Sequence, residues 1–320
     1  MVVLSYLFYV LVFPGLLFST IVGLILSGID RKVVARMQKR IGPPIIQPFY
    51  DFFKLLGKET IVPRTASRKT FLYAPVIGLL ALVTVALFIP MFKFTAISTV
   101  ADIIVIIYLL TIPAVALIIG GAASGSPYAG VGISREMVAI ISYELPLVIV
   151  LLTIGKKVGM ALNNGAITFS LSQIVNYQAQ YGPMITKWSL IPAAIALLLI
   201  IPIKVGSVPF DIAEAETEIC EGPLVEYSGV PLAIFKLNHA IKMFIMTSLF
   251  VTLFLSGKGT GILIVDILLQ VILSAIVVIV SISTLKAITA RLKVEQVLKF
   301  FWTYPTALAL LSLILVWMGF

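Results

Sequence analysis

Apolar residues along the chain fall into eight runs of roughly twenty, at about 4–26, 71–92, 101–121, 137–155, 188–204, 231–256, 261–285 and 301–319. As α-helix, a run of that length crosses a hydrocarbon core of about 30 Å. Helix also satisfies every backbone N–H and C=O within the segment, which lipid cannot do. The two-residue alternation of a membrane β-barrel is absent. The pattern predicts an all-α, polytopic integral membrane protein of about eight transmembrane helices, forming a single membrane domain over 1–320. Three connections stand out for their polar content: 28–70, 122–136 and 205–230. No basic stretch precedes the first run, so it is expected to be a retained helix and not a cleaved signal.

Composition supports the membrane class: 60% of residues are hydrophobic and only 12% charged, against roughly a quarter charged in soluble domains. One cysteine, Cys220, and one histidine, His239, exclude a chain-borne iron–sulfur cluster, zinc site or haem, which need several such ligands. A lone cysteine is most often a small buried hydrophobe, and that is the expectation for Cys220. The net charge of +9 reflects Lys and Arg clustered beside apolar runs and does not indicate nucleic acid. Ten of the 23 basic residues lie between Gly28 and Thr70, and the last inner loop adds Lys286, Arg291, Lys293 and Lys299. Lys93, Lys156, Lys157, Lys187 and Lys258 supply nearly all the positive charge of the alternate loops. The positive-inside rule then predicts a multi-pass protein of the cell membrane, with the three motif loops cytoplasmic and both termini outside.

Within 28–70, two helix-forming pieces are expected, Arg31–Arg40 and Gln47–Glu59, hinged at Ile41-Gly42-Pro43-Pro44 because proline disfavours helix before it. Phe49, Phe52, Phe53, Leu55 and Leu56 give the second piece an apolar side, opposite Lys54 and Lys58, as in helices that lie along a membrane surface; the alternative is a merely solvated basic loop. The second connection holds the small residues Ser124-Gly125-Ser126 and then Arg135-Glu136. Further on, Ser142-Tyr143-Glu144 places a carboxylate inside an apolar run, where it should face a cavity or a partner; a purely structural hydrogen bond is the alternative. Between Asp211 and Glu226 stand six carboxylates, Asp211, Glu214, Glu216, Glu218, Glu221 and Glu226, with no Lys or Arg among them. If helical, this stretch puts Asp211, Glu214, Glu218 and Glu221 on one face. Crowded carboxylates titrate as a coupled set, which suits proton uptake; taken alone, such a run is as often a solvated face. Asp102, Lys204, Lys236, His239, Lys242 and Asp266 are further polar groups within or beside apolar runs, with Lys236, His239 and Lys242 near one side of the sixth helix.

Three long motifs resemble the membrane subunit that anchors the redox arm of respiratory complex I, and its relatives in energy-converting membrane-bound hydrogenases. They are Asp30-Arg31-Lys32-Val33-Val34-Ala35-Arg36-Met37-Gln38-Lys39-Arg40-Ile41-Gly42-Pro43 followed by Gln47-Pro48-Phe49-Tyr50-Asp51; Ser142-Tyr143-Glu144; and Pro209-Phe210-Asp211 with Glu214-Ala215-Glu216 and Glu226-Tyr227-Ser228-Gly229. Their order and the eight-helix layout agree over essentially the whole chain. Departures point to a branch: Asp30 where quinone-reducing relatives usually have Glu, a shortened Pro43-Pro44-Ile45-Ile46, Ser207 in place of Arg, and His239 in place of Glu. These resemble the ferredoxin-dependent archaeal complexes that evolve hydrogen or reduce sulfur compounds, and the low Asn and Cys content fits a heat-loving source.

The resemblance implies a connecting subunit without a redox centre or catalysis of its own. Its implied partners are a peripheral arm carrying iron–sulfur clusters and a hydrogenase-like large subunit with a nickel–iron centre, antiporter-like membrane subunits, the lipid bilayer, and ferredoxin as electron donor. It also implies a proton path through Glu144, Asp211, Glu214, Glu216, Glu218, Glu221, Glu226, His239 and Lys242. Peripheral-arm docking would fall to Arg31, Arg36, Arg40, Asp51, Lys54, Lys58, Glu59 and Arg135. The alternatives are the quinone-site subunit of a complex-I-type dehydrogenase and, more remotely, a free-standing secondary transporter.

Overall fold

The structure, a computed structural model, describes residues 2–92, 94, 103–162 and 166–319, with only the backbone of residues 2–5. Lys93 and Asp102 lie outside the described residues. The chain forms α1 (Val2–Leu11), α2 (Leu16–Met37), α3 (Gln47–Leu56), α4 (Arg68–Phe88), α5 (Ile103–Ser124), α6 (Pro127–Leu162), α7 (Leu171–Tyr181), α8 (Ile191–Val205), α9 (Glu216–Ile219), α10 (Gly229–Phe250), α11 (Leu263–Val277), α12 (Thr284–Ile288) and α13 (Val294–Trp317). Among the described residues eight stretches are long and apolar enough to cross a membrane, as expected from the runs.

The boundaries depart from the expectation at three places. The first stretch breaks at Pro14, where the ring removes a backbone donor and α1 gives way to α2. From there α2 runs unbroken to Met37, so Arg31–Met37 continues the membrane helix and is not a separate piece. The helix break after it, through Gly42-Pro43-Pro44, is where the prolines placed it. The second connection is shorter than 122–136, because α5 reaches Ser124 and α6 begins at Pro127. In the far connection between α6 and α8, α7 forms without having been foreseen.

Helix α10 and its continuation to Leu255 sit at the centre of the bundle. Of the residues in their most apolar window 89% are buried, against 28% for Leu263–Ile288, which therefore lies at the periphery. α10 packs on α2, α4, α8 and α11, while α13 closes the other side against α6 and α8. Large side chains such as Phe244, Phe250, Phe254 and Phe301 fill the interior. Burying an aromatic of that size contributes roughly 2–3 kcal/mol where water is the reference, and in lipid the same contacts act through dispersion.

All three motif loops and the loop before α13 meet at one end of the bundle. Ser67 N–H donates to Ala123 O at 2.9 Å, and Ile61 N–H to Ser228 Oγ at 2.9 Å. Arg135 bonds Glu218, and Arg291 bonds Asp211. Tyr227 stacks on Phe71 with centroids 4.0 Å apart, and its hydroxyl donates to Phe71 O at 3.1 Å. Loop 205–230 is thus tied to the first and second connections.

Candidate functional site

The site begins with α3. Its Pro48, Phe52 and Leu55 turn toward α2 and α10, while Phe53 remains 64% exposed, so the helix lies against the bundle and keeps one apolar edge outward. Between α2, α3, α10, loop 205–230 and α12 opens a cavity of about 340 Å³. Its walls are charged, and the charges are matched across elements: Arg31 with Asp51 at 2.7 Å, Lys286 with Asp30 at 3.0 Å, Arg291 with Asp211 at 2.9 Å, and Lys236 with Glu221 at 3.5 Å. Asp30 also accepts from Ser283 Oγ at 2.8 Å. Burial draws the Asp51 carboxyl upward, but hydrogen bonds from Arg31 and Gln47 and the Arg31 and Lys54 charges outweigh it, so it is held below the usual carboxylate range.

The acidic stretch does not form one helix. Only Glu216–Ile219 is helical, and Cys220 and Glu221 take left-handed conformations with φ of 50° and 67°. Asp211, Glu214, Glu218 and Glu221 therefore do not share a face. Nor do they crowd as unopposed acids, since Asp211, Glu218 and Glu221 each find a base from a distant part of the chain. The sequence run hid those bases because they are 15 to 83 positions away. Glu216 borders the cavity and Glu226 is exposed. Cys220 is exposed, contrary to its expected burial.

Glu214 differs from the others. It lines the cavity without an ion-pair partner at bonding distance among the described residues. Burial pushes its carboxyl up; Glu136 and Glu221 reinforce this, and Lys236 and Lys242 oppose it. A group placed so can hold a proton near neutral conditions more readily than a surface carboxylate does. His239 borders the same cavity and hydrogen-bonds the Gly206 backbone.

From Glu214 the charged groups continue inward. Lys242 interacts with both Glu214 and Glu136, and Glu136 with Lys242 and Lys204. Lys204 is 3% exposed, its ammonium has no hydrogen-bond partner among the described residues, and it sits 4.5 Å from the Tyr143 ring centroid. That cation–π contact replaces part of its lost hydration. Lys204 also feels the charge of Glu144. Glu144 is half-buried and opens onto a second cleft of about 280 Å³ beside Tyr108, Thr111 and Phe169, so it faces a cavity as expected.

The structure thus links Glu214, Lys242 and Glu144, which were singled out from sequence, through Glu136, Lys204 and Tyr143, which were not counted as site residues. Glu136 and Tyr143 are seven apart on α6 and so share a face, the signal that could have found them. Among the docking candidates, Arg31, Asp51 and Arg135 are in ion pairs, Glu59 O accepts from Ser228 Oγ at 3.3 Å, and Arg40 bonds Gln38. Arg36, Lys54 and Lys58 are exposed at the same end of the bundle. Among the described residues no group of three or more His, Cys, Asp or Glu is arranged to hold a metal ion.

A family model described as NADH dehydrogenase matches residues 9–317. The chain belongs to the NADH dehydrogenase family. This family member is 33% identical to a membrane component of the NADH-quinone oxidoreductase of Thermomicrobium roseum, over 93% of this chain and 92% of that one. It is 35% identical to Hydrogenase-4 component C of Escherichia coli K12, over 72% of this chain and 70% of the relative. A chain in the solved structure of the membrane-bound sulfane sulfur reductase, an archaeal respiratory membrane complex, superposes with a TM-score of 0.87 at 30% identity, covering 98% of both. The resemblance carried by the three motifs is borne out. The NADH dehydrogenase family member is a multi-pass membrane protein whose relatives are parts of oxidoreductase complexes.

Proposed function

We propose that this chain is the connecting subunit of a complex-I-like oxidoreductase, coupling electron transfer in a peripheral arm to proton or sodium translocation. The observation that carries the reading is the file of ionisable groups from Glu214 through Lys242, Glu136 and Lys204 to Glu144. It joins the loop-side cavity to the lateral cleft. Ionisable groups at membrane depth are costly and mark ion routes. A redox change in the arm acts through differential interaction with loop 205–230, whose protonation and pairing then bias Glu214. The arm carries the iron–sulfur clusters and a nickel–iron or hydrogenase-like subunit, receives electrons from ferredoxin, and docks where Arg36, Lys54 and Lys58 are exposed. Antiporter-like subunits take the ion onward from the Glu144 cleft, and the motif loops face the cytoplasm.

The experiment is side-by-side measurement of redox turnover and ion uptake with the complex in vesicles. Glu144→Gln and Glu214→Gln should assemble and pass electrons to a soluble mediator, while ion uptake collapses. An unchanged ratio of ions moved per electron in both variants overturns the path and leaves only the platform. A quinone-site role has one observation in its favour, the 340 Å³ cavity itself. The density of ion pairs in its wall favours a hydrated cavity over one for an apolar quinone ring. Quinone-dependent oxidation of the reduced arm, abolished by Ser207→Trp, would establish that role instead.

A further inference from the structure

A second concavity lies apart from the ion route. After α2 the chain turns back on itself: Lys39 is left-handed with φ 56°, and Arg40 N–H donates to Ala35 O at 2.7 Å. The returning segment lies flat along α2 because two glycines permit it. A Cβ on Gly42 would meet Ala35 Cβ at 2.8 Å, and one on Gly28 would meet Ile45 O at 2.0 Å. Between this segment, α2 and α12 is a pocket of about 320 Å³, with Arg31, Arg40 and Lys286 around it and Val34, Ala35 and Ile41 as its apolar wall.

Its charge is unbalanced. Arg31 is matched by Asp51 and Lys286 by Asp30, but the partner of Arg40 is the neutral amide of Gln38. Lys32, Arg36 and Lys39 add to the positive field, and no acid occurs between residues 31 and 50. A single surplus positive charge fits a monoanion, and a planar guanidinium binds phosphate oxygens in pairs. Apolar surface adjoins the pocket: Ile41 at its rim is 95% exposed, and Leu17, Ile21 and Ile25 form an exposed stripe higher on α2. That stripe covers about 12 Å of helix at about 1.5 Å per residue, room for part of an acyl chain.

We propose that this pocket binds the phosphodiester headgroup of an anionic lipid, with the acyl chains on the Ile41 rim and the α2 stripe. Basic pockets at a membrane surface take such headgroups; here the glycine-flattened return of the chain builds one. The proposal is independent of the ion route and of what docks on the rest of the loop.

The full complex, purified in neutral detergent, is mixed with dioleoyl phosphatidylglycerol, dioleoyl phosphatidylcholine or inorganic phosphate, and native mass spectrometry counts what is retained. One phosphatidylglycerol should remain bound where phosphatidylcholine and inorganic phosphate wash away. Arg40→Gln should weaken its retention about tenfold, the scale of one charge-assisted hydrogen bond. Lys299→Gln, outside the pocket, should leave it unchanged. Ile41→Ser keeps every cation and should also weaken retention, which keeps the question decidable should Arg40→Gln fail to assemble. Equal retention of the two lipids overturns the proposal. So does unaltered phosphatidylglycerol binding in Arg40→Gln, or its displacement by millimolar inorganic phosphate, which would mark a site for free phosphate.

Discussion

Replacing Asp211 by Asn tests whether loop 205–230 is held by its ion pair to Arg291. Arg291 Nε lies 3.2 and 3.0 Å from the two Asp211 oxygens, Nη2 lies 2.9 Å from Oδ2, and Nη1 bonds Thr217 Oγ1 at 3.0 Å. The Asp211 side chain is 10% exposed and that of Arg291 28%. Breaking a fully buried pair costs about 3–5 kcal/mol because one charge is left uncompensated. A wholly exposed pair contributes at most about 1 kcal/mol. With one partner enclosed and the other partly solvated, Asp211→Asn should cost about 2–3 kcal/mol. At roughly 2 °C per kcal/mol for a large chain, the melting midpoint falls by about 5 °C. Midpoints in detergent should be compared at one scan rate, since unfolding of such proteins is rarely reversible. The double variant Asp211→Asn with Arg291→Gln should recover part of the loss, because the stranded cation has gone. A fall below 1 °C in the single variant, or a double variant worse than the sum of the two singles, would refute the pairing argument.

Three other outcomes are expected. Glu214 has a folded-state carboxyl raised above its unfolded value, so its contribution favours folding below the unfolded pKa and is lost as pH rises through the folded one; Glu214→Gln should therefore melt higher than the native chain at pH 8 and no higher at pH 4, and the reverse order would contradict that environment. Tyr227→Phe keeps the ring stacked on Phe71 but removes the bond to Phe71 O, at a cost of about 1 kcal/mol; no measurable loss would mean the hydroxyl is satisfied otherwise. Cys220 is exposed in the third motif loop, so an impermeant thiol reagent should label it from the cytoplasmic side alone. In a Cys220→Ser background a cysteine at Lys54 should behave likewise, and labelling of either from outside would invert the assigned topology.

How much was legible depended on the range of the interaction. The eight crossings follow from runs of apolar residues, a property of about twenty neighbouring positions, and they stood with shifted ends. The ends shifted where helix continued through polar sequence, as α2 does through Arg31–Met37, since basic residues at a helix C-terminus are favourable and do not stop it. The acidic stretch was misjudged because its bases come from elsewhere: Arg135 to Glu218, Lys236 to Glu221 and Arg291 to Asp211. No local pattern announces a pairing across 80 positions. Glu144 was found because a carboxylate is conspicuous in an apolar run. Glu136 was passed over because it follows a basic residue at the edge of one.

Helix α6 has 36 residues, about 54 Å of rod at about 1.5 Å per residue. A hydrocarbon layer of about 30 Å crossed at the steepest usual tilt, near 40°, takes up only about 39 Å of it. At least ten residues must stand clear of the lipid. On this rod Arg135 grips Glu218 of the acidic loop, and Glu144 follows nine residues along. The two are joined by continuous helix, with Pro146 the first internal proline beyond them. A displacement of the acidic loop is therefore delivered to Glu144 with little attenuation, as by a lever whose short arm projects from the membrane.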